Sequence, residues 1–155
     1  MEIREYIKEY YDFWFGINSI YEMWSKKRGL TFYSLSVLYI IHEKEGNCTQ
    51  KMICDQLLLP KQTINTILNS FEKKEWVIRR TMENDKRNKA VLFTKKGQDF
   101  ADRIMTELYQ LEACAMDKMK EGQRADMAEN NRLFLTNLHK VMEINADDAK
   151  EGAEC

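Results

Sequence analysis

Six of the nine residues from Gln62 to Ser70 carry an amide or a hydroxyl: Gln62, Thr63, Asn65, Thr66, Asn69 and Ser70. None of the nine is acidic. A helix face that merely meets water draws on Glu, Lys and Arg, which are better helix formers. Amides and hydroxyls can instead donate and accept hydrogen bonds at base edges without being repelled by phosphate. By angle, Gln62, Thr66, Asn69 and Lys73 lie opposite an apolar stripe of Ile64, Ile67, Leu68 and Phe71, spaced i, i+3, i+4, i+7. On this reading Gln62, Thr63, Asn65 and Thr66 approach bases, while Asn69, Lys73 and Lys61 settle on phosphate. A second cluster, Lys86, Arg87 and Lys89, spans four positions where a hairpin tip could cross a phosphate backbone into a minor groove. A charged turn alone signals only solubility; beside an uncharged polar helix it points to DNA.

The elements that must hold these side chains follow from periodicity. Residues 3–24 repeat apolar positions at steps of three and one, from Ile3 and Tyr6 to Tyr21 and Trp24. This predicts one long helix whose stripe is too wide for a single small core. A second helix opens at Thr31 as N-cap and ends near Gly46 as C′. A third begins at Thr49, buries Met52, Ile53 and Leu57, and stops before Pro60, which suits the first turn of a fourth helix over 61–74. Two short helices about a three- or four-residue turn make a helix-turn-helix. The period then changes: 77–80 and 90–93 read as strands joined by the loop 82–89, a wing. Thr94 caps a fifth helix with Phe100, Ile104, Leu108, Leu111, Ala115 and Met119 on one stripe, broken at Gly122. A sixth helix is expected over 124–145, and the acidic tail over 149–155 is expected to fray. The fold class is mainly α with a small β-hairpin wing. Residues 30–97 form a winged helix-turn-helix lobe, and 1–29 with 98–148 form a helical dimerisation region of the same domain.

Composition narrows the function. With 155 residues, 44% of them hydrophobic, one proline and six glycines, the chain suits one mostly helical globular domain. The longest uncharged run, Gly29 to His42, is 14 residues and contains Thr31, Ser34 and Ser36, too short and polar for a bilayer span. The start, Met1-Glu2-Ile3-Arg4-Glu5, is acidic where a secretory signal would be basic, so a cytoplasmic protein is expected. Cys48, Cys54, Cys114 and Cys155 form no CxxC pair, and His42 and His139 stand in no HxxxH or HExxH arrangement, so neither metal nor cofactor is expected. Cys48, beside a helix N-terminus, is the one thiol whose pKa a dipole could lower. No GxGxxG, GxxxxGK[ST] or GxSxG motif is present, and an enzyme is not expected.

The segment Leu30-Thr31, Thr49 with Ile53 and Leu57, Thr63-Ile64, and Phe71-Glu72-Lys73-Lys74-Glu75-Trp76-Val77-Ile78-Arg79-Arg80 resembles the MarR-type winged helix-turn-helix regulators. The wing, from Asp85-Lys86-Arg87 to Thr94-Lys95-Lys96-Gly97, carries that family's Asp-x-Arg tip and its closing Thr-x-x-Gly. The resemblance implies a homodimer interlocked through its first, fifth and sixth helices, bound to a pseudo-palindromic operator as a repressor. It implies Arg87 as the minor-groove residue and Asp85 as its structural neighbour, holding the wing by an ion pair. It also implies release by a small, often phenolic, effector in a crevice that Tyr10, Phe13, Trp14, Trp24, Tyr33 and Tyr39 could line. One departure is Glu75 where the family commonly has Gly, and a different helix end is expected if that turn demands a left-handed residue. A winged-helix protein-interaction module that has lost DNA binding stays open as the alternative.

Net charge separates along the chain. Residues 61–100 hold ten basic and five acidic groups, a balance of +5, against −6 for the remainder and −1 overall. Coating nucleic acid by bulk charge is excluded; a focused basic head is not.

Overall fold

The computed structural model describes the backbone of residues 1–151 and the side chains through residue 143. The tail expected to fray therefore falls, for residues 152–155, outside the described residues. Six helices and a two-stranded antiparallel hairpin run in the order α1 (Ile3–Lys26), α2 (Phe32–Glu43), α3 (Gln50–Leu57), α4 (Lys61–Lys73), β1 (Val77–Thr81), β2 (Lys89–Phe93), α5 (Lys95–Asp117) and α6 (Glu121–Glu151). Two compact units divide the chain, Met1–Thr106 and Glu107–Cys155, with the boundary inside α5. No helix among the described residues is long and apolar enough to cross a membrane.

Local chemistry sets the helix ends. The Thr31 hydroxyl accepts from the Ser34 N–H and the Thr49 hydroxyl from the Met52 N–H, satisfying donors that the first turn leaves unpaired. Both threonines cap as the sequence implies. Pro60 differs: it is the N-cap residue of α4, one position before the first turn. With φ −56° and ψ 142° its carbonyl accepts from Thr63 (2.9 Å) and Ile64 (3.2 Å), so the ring presets the entry without standing in the helix. Leu58, in the turn between α3 and α4, takes φ 51°, and its side chain is 88% exposed.

The core of the first unit gathers around α2, whose Leu35, Val37, Leu38, Ile40 and Ile41 are all buried. Ile53 of α3, Ile64, Leu68 and Phe71 of α4, Val77 and Val91 of the hairpin, and Ala101 and Ile104 of α5 complete it. Met52, expected inside, is exposed. The eight-residue α3 buries the stripe that holds Gln50 and Ile53, and Met52 stands about 100° around the helix from Ile53. Val77 pairs with Phe93 and Thr81 with Lys89, so Lys89 belongs to the strand and not to the loop. An isolated bridge between Thr49 and Ala90 and the bond from the Val91 N–H to the Cys48 carbonyl (2.9 Å) join the wing to the start of α3.

In the second unit the break between α5 and α6 comes at Lys118–Lys120, before the expected Gly122, which lies in the first turn of α6. The Gln123 side chain accepts from the Lys120 N–H (2.9 Å), half of a capping box, and so starts α6 three residues earlier than its apolar pattern suggests. Leu111 and Ala115 of the fifth-helix stripe are exposed. So are Leu133, Leu135, Val141 and Met142 of α6.

Candidate nucleic-acid interface

The helix α4 is shaped for display. Its apolar side holds Ile64 and Leu68 at no exposure, with Ile67 half-buried, and its far side leaves Lys61, Gln62, Thr66, Asn69 and Lys73 exposed. Thr63 and Asn65 flank that surface, half-buried. The Thr66 hydroxyl donates to the Gln62 carbonyl (3.0 Å), which leaves its oxygen able to accept.

The helix ends in a Schellman arrangement: Trp76 N–H bonds the Phe71 carbonyl and Glu75 N–H the Glu72 carbonyl, both at 2.9 Å. Glu75 takes φ 60°, the left-handed conformation the family's Gly would supply, so the expected difference in how the helix ends does not arise. Its carboxylate meets Lys96 (3.0 Å), and its carbonyl accepts from the Thr94 hydroxyl (2.6 Å).

The most connected group at this surface, Arg79 on β1, is one the sequence reading passed over. Alternation places it on the strand side of Val77, toward α4, while Arg80 points out. Its guanidinium grips both oxygens of Glu72 (2.9 and 2.6 Å) and donates to the side-chain oxygens of Asn65 (3.2 Å) and Asn69. Gln50 of α3 donates to the same Asn65 oxygen. Asn65, Asn69 and Glu72 lie at i, i+4 and i+7, so one arginine runs along a single stripe of α4. The bond from Arg79 holds the Glu72 carboxyl below the usual carboxylate range. The available signal was parity: Arg79 shares its strand face with buried Val77.

The wing is organised by two short side chains. Asp85 accepts the Arg87 N–H (3.1 Å), and its carbonyl accepts the Asn88 N–H (3.1 Å). It thus shapes the tip through backbone bonds, with no ion pair within 4.0 Å among the described residues, where the resemblance implied one. A short polar side chain closing a turn on its own backbone needs no cation. The Asn88 side chain reaches the Lys51 N–H at the start of α3 (3.3 Å). A groove of about 340 Å³ lies between α3, the start of α4 and the wing, lined by Gln50, Lys51, Cys54, Lys61, Arg87 and Asn88, with Asp85. Lys51 is paired with Asp55, Lys95 with Asp99 and Lys96 with Glu75. Lys61, Lys73, Lys86 and Arg87 carry no ion pair among the described residues, and like Lys89 they are exposed.

The aromatic residues suggested for an effector crevice fall on two helices. Tyr10, Phe13 and Trp14 are exposed on α1, and Tyr33 and Tyr39 on α2. Trp24 is half-buried with the Arg28 guanidinium 3.6 Å from its ring centre. Cys48 is buried, and burial pushes its thiol up to about 11, the opposite of activation. Among the described residues no group of three or more His, Cys, Asp or Glu could hold a metal ion.

Known proteins share this fold. A family model described as "MarR family" matches residues 28–88. The HTH-type transcriptional regulator SarZ of Staphylococcus epidermidis is 29% identical over 107 residues, which cover 69% of this chain and 64% of that protein. Among solved structures, the Staphylococcus aureus MepR–DNA complex superposes with TM-score 0.72 at 16% identity, over 85% of this chain and 97% of that one. NMB1585, a MarR family regulator from Neisseria meningitidis, gives 0.75 at 16% identity, over 94% and 99%. The segment matched by the family model runs from the loop before α2 to the wing tip, and over it this chain is similar to the MarR family, whose fold it shares with these solved structures.

Proposed function

We propose that this chain is a cytoplasmic, homodimeric DNA-binding transcriptional regulator, acting as a repressor on a pseudo-palindromic operator and released by a small aromatic effector. The observation that carries this reading is the pairing of cations. Lys51, Lys95 and Lys96 are paired with neighbouring carboxylates, while the exposed Lys61, Lys73, Lys86 and Arg87 carry no ion pair among the described residues and surround an amide- and hydroxyl-bearing helix face. Unpaired exposed cations suit phosphate, and amides and hydroxyls suit base edges. Gln62, Thr63, Asn65 and Thr66 approach the bases, Asn69 and Lys73 the backbone, and Arg87 the minor groove, with Lys86 and Lys89 beside it. A second copy of the chain is the partner that suits the exposed apolar faces of α1 and α6, where Phe15 is 66% and Met142 68% exposed. The aromatics Tyr10, Phe13, Trp14, Trp24, Tyr33 and Tyr39 are the candidates for the effector crevice.

Fluorescence anisotropy on a duplex enriched from a randomised library tests this reading. Arg87→Ala should weaken binding by on the order of 1–3 kcal/mol, most where the flanking sequence is A·T-rich. Lys73→Ala should weaken all duplexes alike and flatten the logarithmic salt slope by about one. Binding that is absent or insensitive to salt, from a chain that still sediments as a dimer, would assign the fold to protein–protein recognition instead.

A further inference from the structure

We infer that Arg79, clamped by Glu72, is a positioning residue that fixes the amides of Asn65 and Asn69 with their NH2 groups outward, making Asn65 a donor-only reader. This rests on the DNA-reading role proposed above and specifies its chemistry. A guanidinium has five N–H donors and no acceptor, so the atom each asparagine turns toward it must be the carbonyl oxygen. Arg79 donates to both oxygens, and Gln50 donates a second time to that of Asn65, which fills its two lone pairs. Glu72 holds the guanidinium at two points, so the arginine is not free to turn away. The side chain of Arg79 is 12% exposed, which keeps water from competing for these bonds.

The consequence is a restriction on sequence. Asparagine reads adenine by donating to N7 and accepting from the N6 amino group, and that second contact needs the oxygen Arg79 has taken. A donor-only amide instead matches an edge of acceptors: guanine O6 and N7, or thymine O4. Facing adenine, the NH2 group has N7 alone to donate to and meets the N6 amino group beside it. Asn65, the one of the two proposed above to approach a base, therefore selects guanine or thymine, while exposed Asn69 donates to phosphate or to a similar acceptor.

The test is selection and sequencing from a randomised duplex library with the full-length chain, comparing wild type, Asn65→Ala, Arg79→Met and Glu72→Gln. Asn65→Ala should flatten one position of each half-site, and at that position the wild type should favour guanine or thymine over adenine by roughly 10-fold or more. Arg79→Met frees the amide to turn, and should reduce that preference by about 10-fold with adenine gaining, other positions keeping theirs. Glu72→Gln, which leaves the arginine in place with a weaker hold, should shift the same position less and serves if Arg79→Met does not fold by circular dichroism. A purely structural role would instead lower affinity for every sequence equally. The inference is overturned if the position sensitive to Asn65→Ala favours adenine, if no position is sensitive to it, or if the Arg79 and Glu72 variants leave the preference unchanged or change all positions alike. A wild-type chain that enriches no sequence would overturn the regulator reading itself, which separates the two failures.

Discussion

Replacing Gly97 by alanine should destabilise the chain by about 2–4 kcal/mol, for a reason confined to one backbone contact. The first turn of α5 lies directly on Trp76, the residue before β1. The Thr94 N–H bonds the Trp76 carbonyl (3.0 Å), the Thr94 hydroxyl accepts from the Gly97 N–H (3.0 Å), and Phe100 stacks on the Trp76 ring with centroids 3.9 Å apart. A Cβ on Gly97 would stand 1.8 Å from the Trp76 carbonyl oxygen, 2.5 Å from its carbon and 2.7 Å from its Cα, where ordinary contact begins at 3.4 Å. All three atoms are backbone, so no rotamer change relieves them. The helix start must withdraw, adding about 1–3 kcal/mol of strain, with about 1 kcal/mol from the stretched Thr94 bond and about 1 kcal/mol from the loosened ring stack. The better helix propensity of alanine returns about 1 kcal/mol. Urea unfolding followed by circular dichroism, at one fixed protein concentration, measures the result. Gly16→Ala in α1 is the control, since a Cβ there meets nothing within 4 Å, and it should gain about 0.5–1 kcal/mol. A Gly97→Ala chain within about 0.5 kcal/mol of wild type would refute the reasoning, because such a clash cannot be so cheap.

Glu75→Gly should stabilise by about 0.5–1 kcal/mol in the same assay: relief of a left-handed residue, about 1–2 kcal/mol, exceeds the entropy glycine adds to the unfolded chain, and the exposed Lys96 pair contributes little. A loss of stability would show that the ion pair outweighs the strain. Cys48 should resist iodoacetamide at neutral pH while exposed Cys114 reacts, and equal labelling rates would contradict its burial. Because the folded Cys48 thiol holds its proton to about 11 while the unfolded one ionises near 9.0, stability should fall as pH rises from 9 to 11, and a Cys48→Ala chain should lose that slope. Glu72 behaves in the opposite direction: its folded carboxyl ionises below the unfolded value, so its stabilisation is present above the ordinary carboxylate range and lost as acid titrates the folded group. Glu72→Gln should remove that part of the acid dependence, and an unchanged acid limb would exclude the Arg79 bond as its source.

The helix-turn-helix and wing were legible because their signals are periodic. The i, i+3, i+4, i+7 stripe of α4 and the Thr caps of α2 and α3 are decided within a few residues. The polar face of α4 was legible for the same reason. Its buttress was not: whether Arg79 or Arg80 turns inward depends on which strand face meets α4, and only the parity with Val77 encodes it. Met52 was misplaced because one apolar residue beside Ile53 on a two-turn helix has no repeat to phase it. The α5–α6 break was misplaced because Gly122 looks like a stop, whereas a Gln123 side chain starts the next helix ahead of it. Glu75 shows the converse, a strained position kept by surrounding bonds without the residue type that usually marks it.

Asn88 gives the lobe a mechanical property. Its amide supplies the Lys51 N–H with an acceptor that α3 lacks in its own first turn, and the Cys48–Val91 bond secures the wing at its base. Held at two points, the wing and the helix-turn-helix act as the jaws of a calliper whose span is set before any ligand arrives. Lengthening the loop beyond Asn88 would extend one jaw without opening the gauge, whereas Asn88→Ala would let the jaws drift.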